Sequence, residues 1–205
     1  MPNVESIYAV LENDYILIGS NTYNYSNDNI IIELLRKHKK LQTDNNFNQP
    51  VNFIPHEVTH IKFGINFDQE LNNLPPSLKY LEFSHFNTVK YNKFNKNLDN
   101  LPYGLETLKI VLNSNFNQLL VNLPPTIKNL YIYSKVLKNV ATIINSLPDN
   151  VEYLEINFIT DDDIKNIIKL PKNIKTFTDD RDLNISIENY NYNAWKKYFP
   201  ALQQN

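Results

Sequence analysis

The chain has 205 residues, 20 basic and 22 acidic side chains for a net charge of −2, a hydrophobic fraction of 42% and no cysteine. That length fits one repeat array with end caps, or one domain with a small companion, and the apolar fraction suffices for a buried core. Near-neutral charge excludes a global field for nucleic acid or anionic membrane, absent cysteine excludes disulfides and thiolate chemistry, and no apolar run reaches a membrane span.

The opening Met-Pro-Asn-Val-Glu has neither a basic region nor an apolar leader, so a cytoplasmic protein is expected. Asparagine supplies about one residue in six, against an ordinary few per cent. With abundant Ile, Lys and Tyr this reflects an AT-rich coding genome, and the sequons at Asn24 and Asn184 are expected to be unused. Residues 6–19 alternate weakly around Glu12-Asn13-Asp14, which predicts a β-hairpin. Ser26 or Asn27 then caps a predicted helix to about Leu41, with Ile30, Ile31, Leu34 and Leu35 inward and Lys37, Lys39 and Lys40 near its C-terminus. Residues 1–46 therefore read as a hairpin-plus-helix cap, or as a small adaptor module.

From residue 54 the chain repeats itself. Leu-Pro or Ile-Pro pairs begin at Ile54, Leu74, Leu101, Leu123, Leu147 and Leu170. A period of about 20–29 residues marks a leucine-rich solenoid. Counting from each of these residues, the fourth position is Val58, Leu78, Leu105, Ile127, Val151 and Ile174. The seventh is Ile61, Leu81, Leu108, Leu130, Leu154 and Phe177, and the ninth is Phe63, Phe83, Ile110, Ile132, Ile156 and Asp179. Positions two apart share one face of a strand, so the seventh and ninth columns point into a core. Eight of the 11 prolines sit where these strands begin, ending the preceding turn without harming a ladder. Phe-Asn pairs recur at Phe47, Phe94 and Phe116, with Phe67-Asp68 as a near match. Their rings are expected to fill the convex half of the core and their polar neighbours to bond turn backbone. Asn66 and Asn113 occupy the slot of a leucine-rich-repeat asparagine ladder, but Lys135 and Ile159 interrupt it.

The run Leu74-Pro-Pro-Ser-Leu-Lys-Tyr-Leu-Glu-Phe83, its counterpart Leu123-Pro-Pro-Thr-Ile-Lys-Asn-Leu-Tyr-Ile132, and Phe-Asn-Gln at 47–49 and 116–118 resemble FNIP repeats. These are a leucine-rich-repeat variant abundant in social amoebae and in giant viruses infecting amoebae. The resemblance spans about residues 47–180 and weakens in the later coils, where Phe-Asn is missing. It implies a protein-interaction solenoid, sometimes joined to an F-box, and carries no catalytic residues. Residues 1–46 lack the Leu-Pro opening and longer helical array of an F-box. The expected fold is an α/β solenoid: a leucine-rich-repeat-like curved parallel β-sheet of about six coils over 47–180, with a variable convex side. An N-terminal hairpin-helix cap (1–46) and a C-terminal helical cap (181–205) close its ends.

Two motifs invite a metal. His56-Glu57-Val58-Thr59-His60 matches HExxH, whose chemistry needs both histidines one turn apart on a helix. Here Val58 is a core position and His60 belongs to a strand, so coincidence is the expected explanation. Asp161-Asp162-Asp163 is better read as the start of a helix Asp161–Leu170 capped by Thr160, its acids meeting the positive end of the helix dipole. No metal or cofactor is expected. Beyond residue 180 the frame breaks, and Trp195, Tyr198, Phe199 and Leu202 fall at helical spacing, as a lid on the last coil.

The columns between the core positions face solvent. The sixth is His60, Tyr80, Thr107, Asn129, Tyr153 and Thr176; the eighth is Lys62, Glu82, Lys109, Tyr131, Glu155 and Thr178. The tenth is Gly64, Ser84, Val111, Tyr133, Asn157 and Asp180. Tyrosine is a favoured contact residue, and mixed charge around it suits a protein partner. Tyr80, Glu82, Lys109, Tyr131, Tyr133, Tyr153 and Glu155 are therefore the candidate binding residues of a non-enzymatic interaction module. The partner is expected to be a protein, a host protein if the chain is viral, rather than nucleic acid or membrane, and the chain itself is expected to be a monomer or weak homo-oligomer. Strand propensity alone also accounts for exposed tyrosines. A structural or self-associating protein and a ubiquitin-ligase adaptor acting through residues 1–46 are the alternatives. A ligase of its own is excluded by the missing cysteine nucleophile.

Overall fold

Five of the six Leu-Pro or Ile-Pro pairs open a tight turn closed by their own proline. The Pro55 carbonyl accepts the N–H of Val58, and Pro75, Pro102, Pro124 and Pro171 do the same for Leu78, Leu105, Ile127 and Ile174, at 3.0–3.2 Å. The turn delivers the chain to the sheet in fixed phase. Just before each strand one carbonyl then takes two successive N–H donors from the next coil. Lys39 accepts from Thr59 and His60, Thr59 from Lys79 and Tyr80, and Lys79 from Glu106 and Thr107. Glu106, Lys128 and Glu152 continue the series at 2.8–3.2 Å.

These contacts come from a computed structural model that describes residues 10–12, 14–19, 28–83, 92–112, 116, 118–134, 140–157, 159–179, 184–186 and 192–203. Its elements in chain order are β1 (Val10–Glu12), β2 (Tyr15–Ile18), α1 (Asn29–His38), β3 (Lys40–Thr43), β4 (His60–Phe63), β5 (Tyr80–Phe83) and β6 (Thr107–Leu112). There follow β7 (Asn129–Ser134), α2 (Val140–Asn145), β8 (Tyr153–Asn157), α3 (Asp161–Asn166), β9 (Thr176–Asp179), β10 (Asn184–Ser186) and α4 (Tyr192–Lys196). All ten strands form one sheet in sequence order. From β2 to β9 every neighbouring pair is parallel, and β1 and β10 add antiparallel edges. This is a curved parallel sheet of the leucine-rich-repeat type, each coil crossing over behind it.

The seventh column and the apolar residues of the ninth are buried as expected, whereas Asp179 at the end of the ninth is only half-buried, and β4, β5 and β8 alternate half-buried and buried along their length. Behind them runs a spine of stacked rings. Phe47 and Phe67 are 6.2 Å apart and Phe67 and Phe94 6.4 Å, nearly parallel, while Phe63 lies 3.8 Å from Phe67. The residue after each spine phenylalanine links adjacent coils. Asn48 Oδ1 accepts the Asp68 N–H, and Asp68 Oδ1 accepts the Asn95 N–H, both at 2.9 Å. The asparagine ladder thus lies in the Phe-Asn unit itself. At the slot expected to carry it, Asn66 donates its backbone N–H to the Asn45 carbonyl, and Asn113 lies outside the described residues. Backbone donors of the turn are satisfied by carboxyl or amide oxygens one coil away, so each coil fixes the next.

The N-terminal segment departs from expectation. Val10–Glu12 and Tyr15–Ile18 pair as the hairpin, with residues 6–9 and 13 outside the described part. The helix is shorter: Asp28 caps it through the N–H groups of Ile30 and Ile31, and Lys39, at φ 60° and ψ 12°, ends it. Ser26 and Asn27 lie outside the described residues. Ile31 and Leu35, four apart, form the buried stripe, and the cap phase leaves Ile30 73% exposed instead of inward. Lys40–Thr43 is no helix end but a strand, parallel to both β2 and β4.

The convex side carries α2 and α3. Thr160 caps α3 with a full capping box to Asp163, so the acids serve the helix start. That helix ends at Asn166 rather than Leu170, because Ile167 turns extended and both Ile167 and Leu170 enter the core. At the C-terminal end Trp195, Phe199 and Leu202 are buried, Phe199 packing edge-on to Phe177 at 5.0 Å, while Tyr198 is 43% exposed and stands outside this cluster.

Two substitutions test the coil packing and a third, at exposed Ile30, serves as control. A Cβ on Gly64 would lie 1.9 Å from the Asp44 carbonyl oxygen, and the Gly64 N–H donates to Thr43 Oγ1 at 2.8 Å. Gly64→Ala should cost about 1–3 kcal/mol or more, as overpacking does. Phe67→Ala should cost about 3–5 kcal/mol through the cavity left in the spine. Ile30→Ala should stay within about 0.5 kcal/mol. Urea-unfolding midpoints measure all three, and a neutral Gly64→Ala would contradict the close approach of these coils.

Candidate protein-interaction face

All of the candidate residues (Tyr80, Glu82, Lys109, Tyr131, Tyr133, Tyr153 and Glu155) lie half-buried on β5 to β8, on the sheet face turned away from the core. The parallel register sets their neighbours: Glu82 lies beside Lys109, Lys109 beside Tyr131, Tyr131 beside Glu155, and Tyr133 beside Asn157. Side chains on this face meet across coils. Tyr80 donates its hydroxyl to Glu82, whose carboxylate lies 3.8 Å from Lys62 Nζ. Lys109 Nζ stands 4.4 Å from the Tyr131 ring centre and 5.8 Å from that of Tyr80. Tyr131 and Tyr153 are 5.2 Å apart and tilted by 43°. Glu155 accepts from Tyr153 at 2.9 Å and from Tyr133 at 3.5 Å.

The file extends further than the sequence indicates. Tyr15 on β2 receives Lys62 over its ring at 4.6 Å and Lys40 at 5.6 Å. His60 stacks on Tyr80 at 5.5 Å. Tyr15 and Lys40 escape the repeat count because β2 and β3 precede the first Ile-Pro pair.

Burial and carboxylates act together on the tyrosines. Burial pushes the Tyr80 hydroxyl far above its ordinary value, and the bond to Glu82 and that carboxylate's charge add to it. Tyr133 is pushed up to about 12, by burial first and then by the charges of Glu155 and Glu82. Tyr131 is raised by burial and Glu155, and Tyr15 by burial and Glu82. Tyr153 is raised by burial, opposed by its bond to Thr178 and helped by Glu155. His60 moves down, because burial and the nearby Lys40 and Lys62 all disfavour its charged form. These phenols stay neutral donors at physiological pH.

A second file borders the face. The residues whose carbonyls take two donors also project side chains that alternate in sign from the second Leu-Pro coil on, as Lys79, Glu106, Lys128 and Glu152, and Lys175 at the same position of the last coil continues the alternation. Lys79 meets Glu106 at 2.7 Å, and Glu152 lies between Lys128 at 2.7 Å and Lys175 at 2.5 Å. Hydrogen bonds from Lys128 and then Lys175 hold the Glu152 carboxyl below the usual range. The alternation is legible at the fifth position of the repeat, where only the core and the sixth, eighth and tenth columns attract attention.

The HExxH residues are not brought together as a zinc site needs. Glu57 lies in the turn after Pro55, Val58 is buried, and His60 lies in β4. No cluster of three or more His, Cys, Asp or Glu able to hold a metal occurs among the described residues. No helix among them is long and apolar enough to cross a membrane.

Residues 47–86 match the family model described as FNIP Repeat. That stretch is similar to an FNIP repeat. It begins at the spine residue Phe47, includes the Asn48–Asp68 link and contains both β4 and β5. No curated protein matches the chain. Among solved structures it is similar to CroV588, a giant-virus protein described as a novel circular LRR protein structure. That likeness has a TM-score of 0.43 and 25% identity over 68% of this chain and 23% of the other, so the chain spans under a quarter of that protein's length. Outside the FNIP repeat the same Leu-Pro frame and doubled backbone bonds continue to Lys175.

Stability should fall at both ends of the pH scale. A histidine depressed in the folded state contributes fully above its unfolded value of about 6.5 and loses that contribution as pH drops. Tyrosines raised in the folded state contribute below their unfolded value of about 10 and lose that contribution as pH rises. His60→Gln should flatten the acid limb and Tyr133→Phe the alkaline limb, measured as unfolding midpoints across pH. Unchanged limbs would contradict the assigned causes.

Proposed function

We propose that the chain is a non-enzymatic protein-interaction module that holds a partner protein against the concave face of its sheet. The observation that carries this reading is the continuous file from Tyr15 to Tyr153, in which rings, lysines and carboxylates meet across coils without filling the core. Leucine-rich-repeat folds are typically interaction scaffolds, and Tyr contributes large contact area at small entropic cost. The half-buried tyrosines lose little freedom on docking, so contact area converts more fully into affinity.

Self-association is the second reading. β10 forms one end of the sheet beyond β9, and an end strand can pair with another chain.

Immobilised protein presented with an amoebal lysate should retain a defined partner. Tyr131→Ala, Tyr133→Ala and Tyr153→Ala combined should abolish retention while the unfolding midpoint moves little, and Glu106→Gln should leave retention intact. Equal retention by the triple variant would sink this face as the site. Light scattering across concentration separates the second reading, since a concentration-independent monomer contradicts it.

A further inference from the structure

We propose that Glu155, walled by Tyr131, Tyr133 and Tyr153, receives an arginine or lysine side chain from an extended segment of the partner protein. This rests on the functional reading above and specifies the partner's chemistry.

The charges of the face are matched unevenly. On the β3 to β6 side each is met within the chain: Lys40 and Lys62 lie over Tyr15, Lys62 also meets Glu82, and Lys109 lies between two tyrosine rings. On β8 the carboxylate is Glu155. Among the described residues no Lys, Arg or His nitrogen lies within 4.0 Å of it. Its hydrogen bonds come from the neutral hydroxyls of Tyr133 and Tyr153, which orient the oxygens without cancelling the charge. Asn157, beside Tyr133 in the ladder, and Thr178, beside Glu155, are uncharged.

The chain already shows how this set of groups holds a cation. Lys62 Nζ lies 4.6 Å from the Tyr15 ring centre and 3.8 Å from a Glu82 oxygen, so ring face and carboxylate share one ammonium. At Glu155 the same two groups recur. Tyr131 lies directly beside it in the register, and Tyr153 is tilted against Tyr131 with its hydroxyl on the carboxylate. A ring face with an adjacent carboxylate attracts a cation by its quadrupole and by charge. Arginine suits the place better than lysine, because its planar group can stack on a tyrosine while its fork meets both oxygens. The same carboxylate repels phosphate, which disfavours nucleic acid and anionic lipid at this point. A segment lying across the coils would meet this carboxylate beyond Lys109, so an acidic residue over Lys109 would complement a basic one over Glu155.

The test uses the full chain and fluorescence anisotropy at low salt with labelled Gly-Arg-Gly-Arg-Gly-Arg-Gly. Two controls replace arginine by citrulline, which keeps shape and loses charge, or by glutamate. The arginine peptide should bind at least about tenfold more tightly than either control, Glu155→Gln should remove about tenfold, and added salt should weaken binding. Glu106→Gln, on the bordering file, should change it little. Equal binding of arginine and citrulline peptides to the unaltered protein overturns the inference without depending on any variant's folding. So does an unchanged affinity in a folded Glu155→Gln, or no binding of the arginine peptide. If the arginine peptide fails but the triple tyrosine variant still loses its partner, the cation site falls and the functional reading stands. If partner retention survives the triple variant, that reading falls as well.

Discussion

The carbonyls of Lys39, Thr59, Lys79, Glu106, Lys128 and Glu152 each take two backbone donors from the coil that follows, and the rest of the molecule depends on that join. The proline turn supplies the phase and the doubled bond supplies the pitch, so the strand after each turn starts level with its neighbour. Once level, position seven of every coil falls over position seven of the last, and apolar columns become a continuous core. The coils between joins differ in length, and the convex side absorbs the difference. It does so with short helices in α2 and α3, and with the phenylalanine spine in the earlier coils.

This division explains which parts were legible in the sequence. Core columns recur because backbone geometry demands an apolar side chain at the same offset in each coil, and burial of Val58, Leu78 and Leu105 follows. Strand β3 leaves almost no signal. Lys-Leu-Gln-Thr offers one large apolar residue, and its second core position is Thr43, 3% exposed, which is acceptable there because its hydroxyl accepts the Gly64 N–H. A lysine-rich helix end and such a strand look alike until Lys39 is seen in the left-handed region. Ile30 misleads in the opposite way, because an apolar residue next to a buried stripe is indistinguishable from one within it when the cap position is off by one or two.

The face was legible as columns but not as contacts. Strand register alone brings Tyr131 beside Glu155, and that was readable from the offsets. That Lys109 would lie over Tyr131, or that Tyr133 and Tyr153 would share one carboxylate, depends on rotamers chosen across coils. The alternating Lys and Glu file at the border was present in the repeat frame from the start. It gained meaning only once the fifth position was known to carry the inter-coil carbonyl. Its exposed pairs add little stability, about 0.2–1 kcal/mol each, but opposite signs on adjacent coils disfavour a register slip that would set like charges together.

Because the joins between coils are made by backbone, side chains on the outward face are released from holding the fold. The core residues are constrained by volume and the Phe-Asn units by the polar links they make, whereas Tyr80, Lys109 and Tyr131 meet one another across coils. Such a face can exchange rings and charges without disturbing the coil beneath it. What the tyrosines add is stiffness: a phenol held by a carboxylate, beside a lysine resting on the next ring, presents its surface already ordered. The same bonds set the limit, since a partner must either leave them intact or replace them. Glu82 has its lysine, while among the described residues Glu155 is met only by hydroxyls, so the two carboxylates differ as sites for a ligand even though both occupy the eighth position of the repeat.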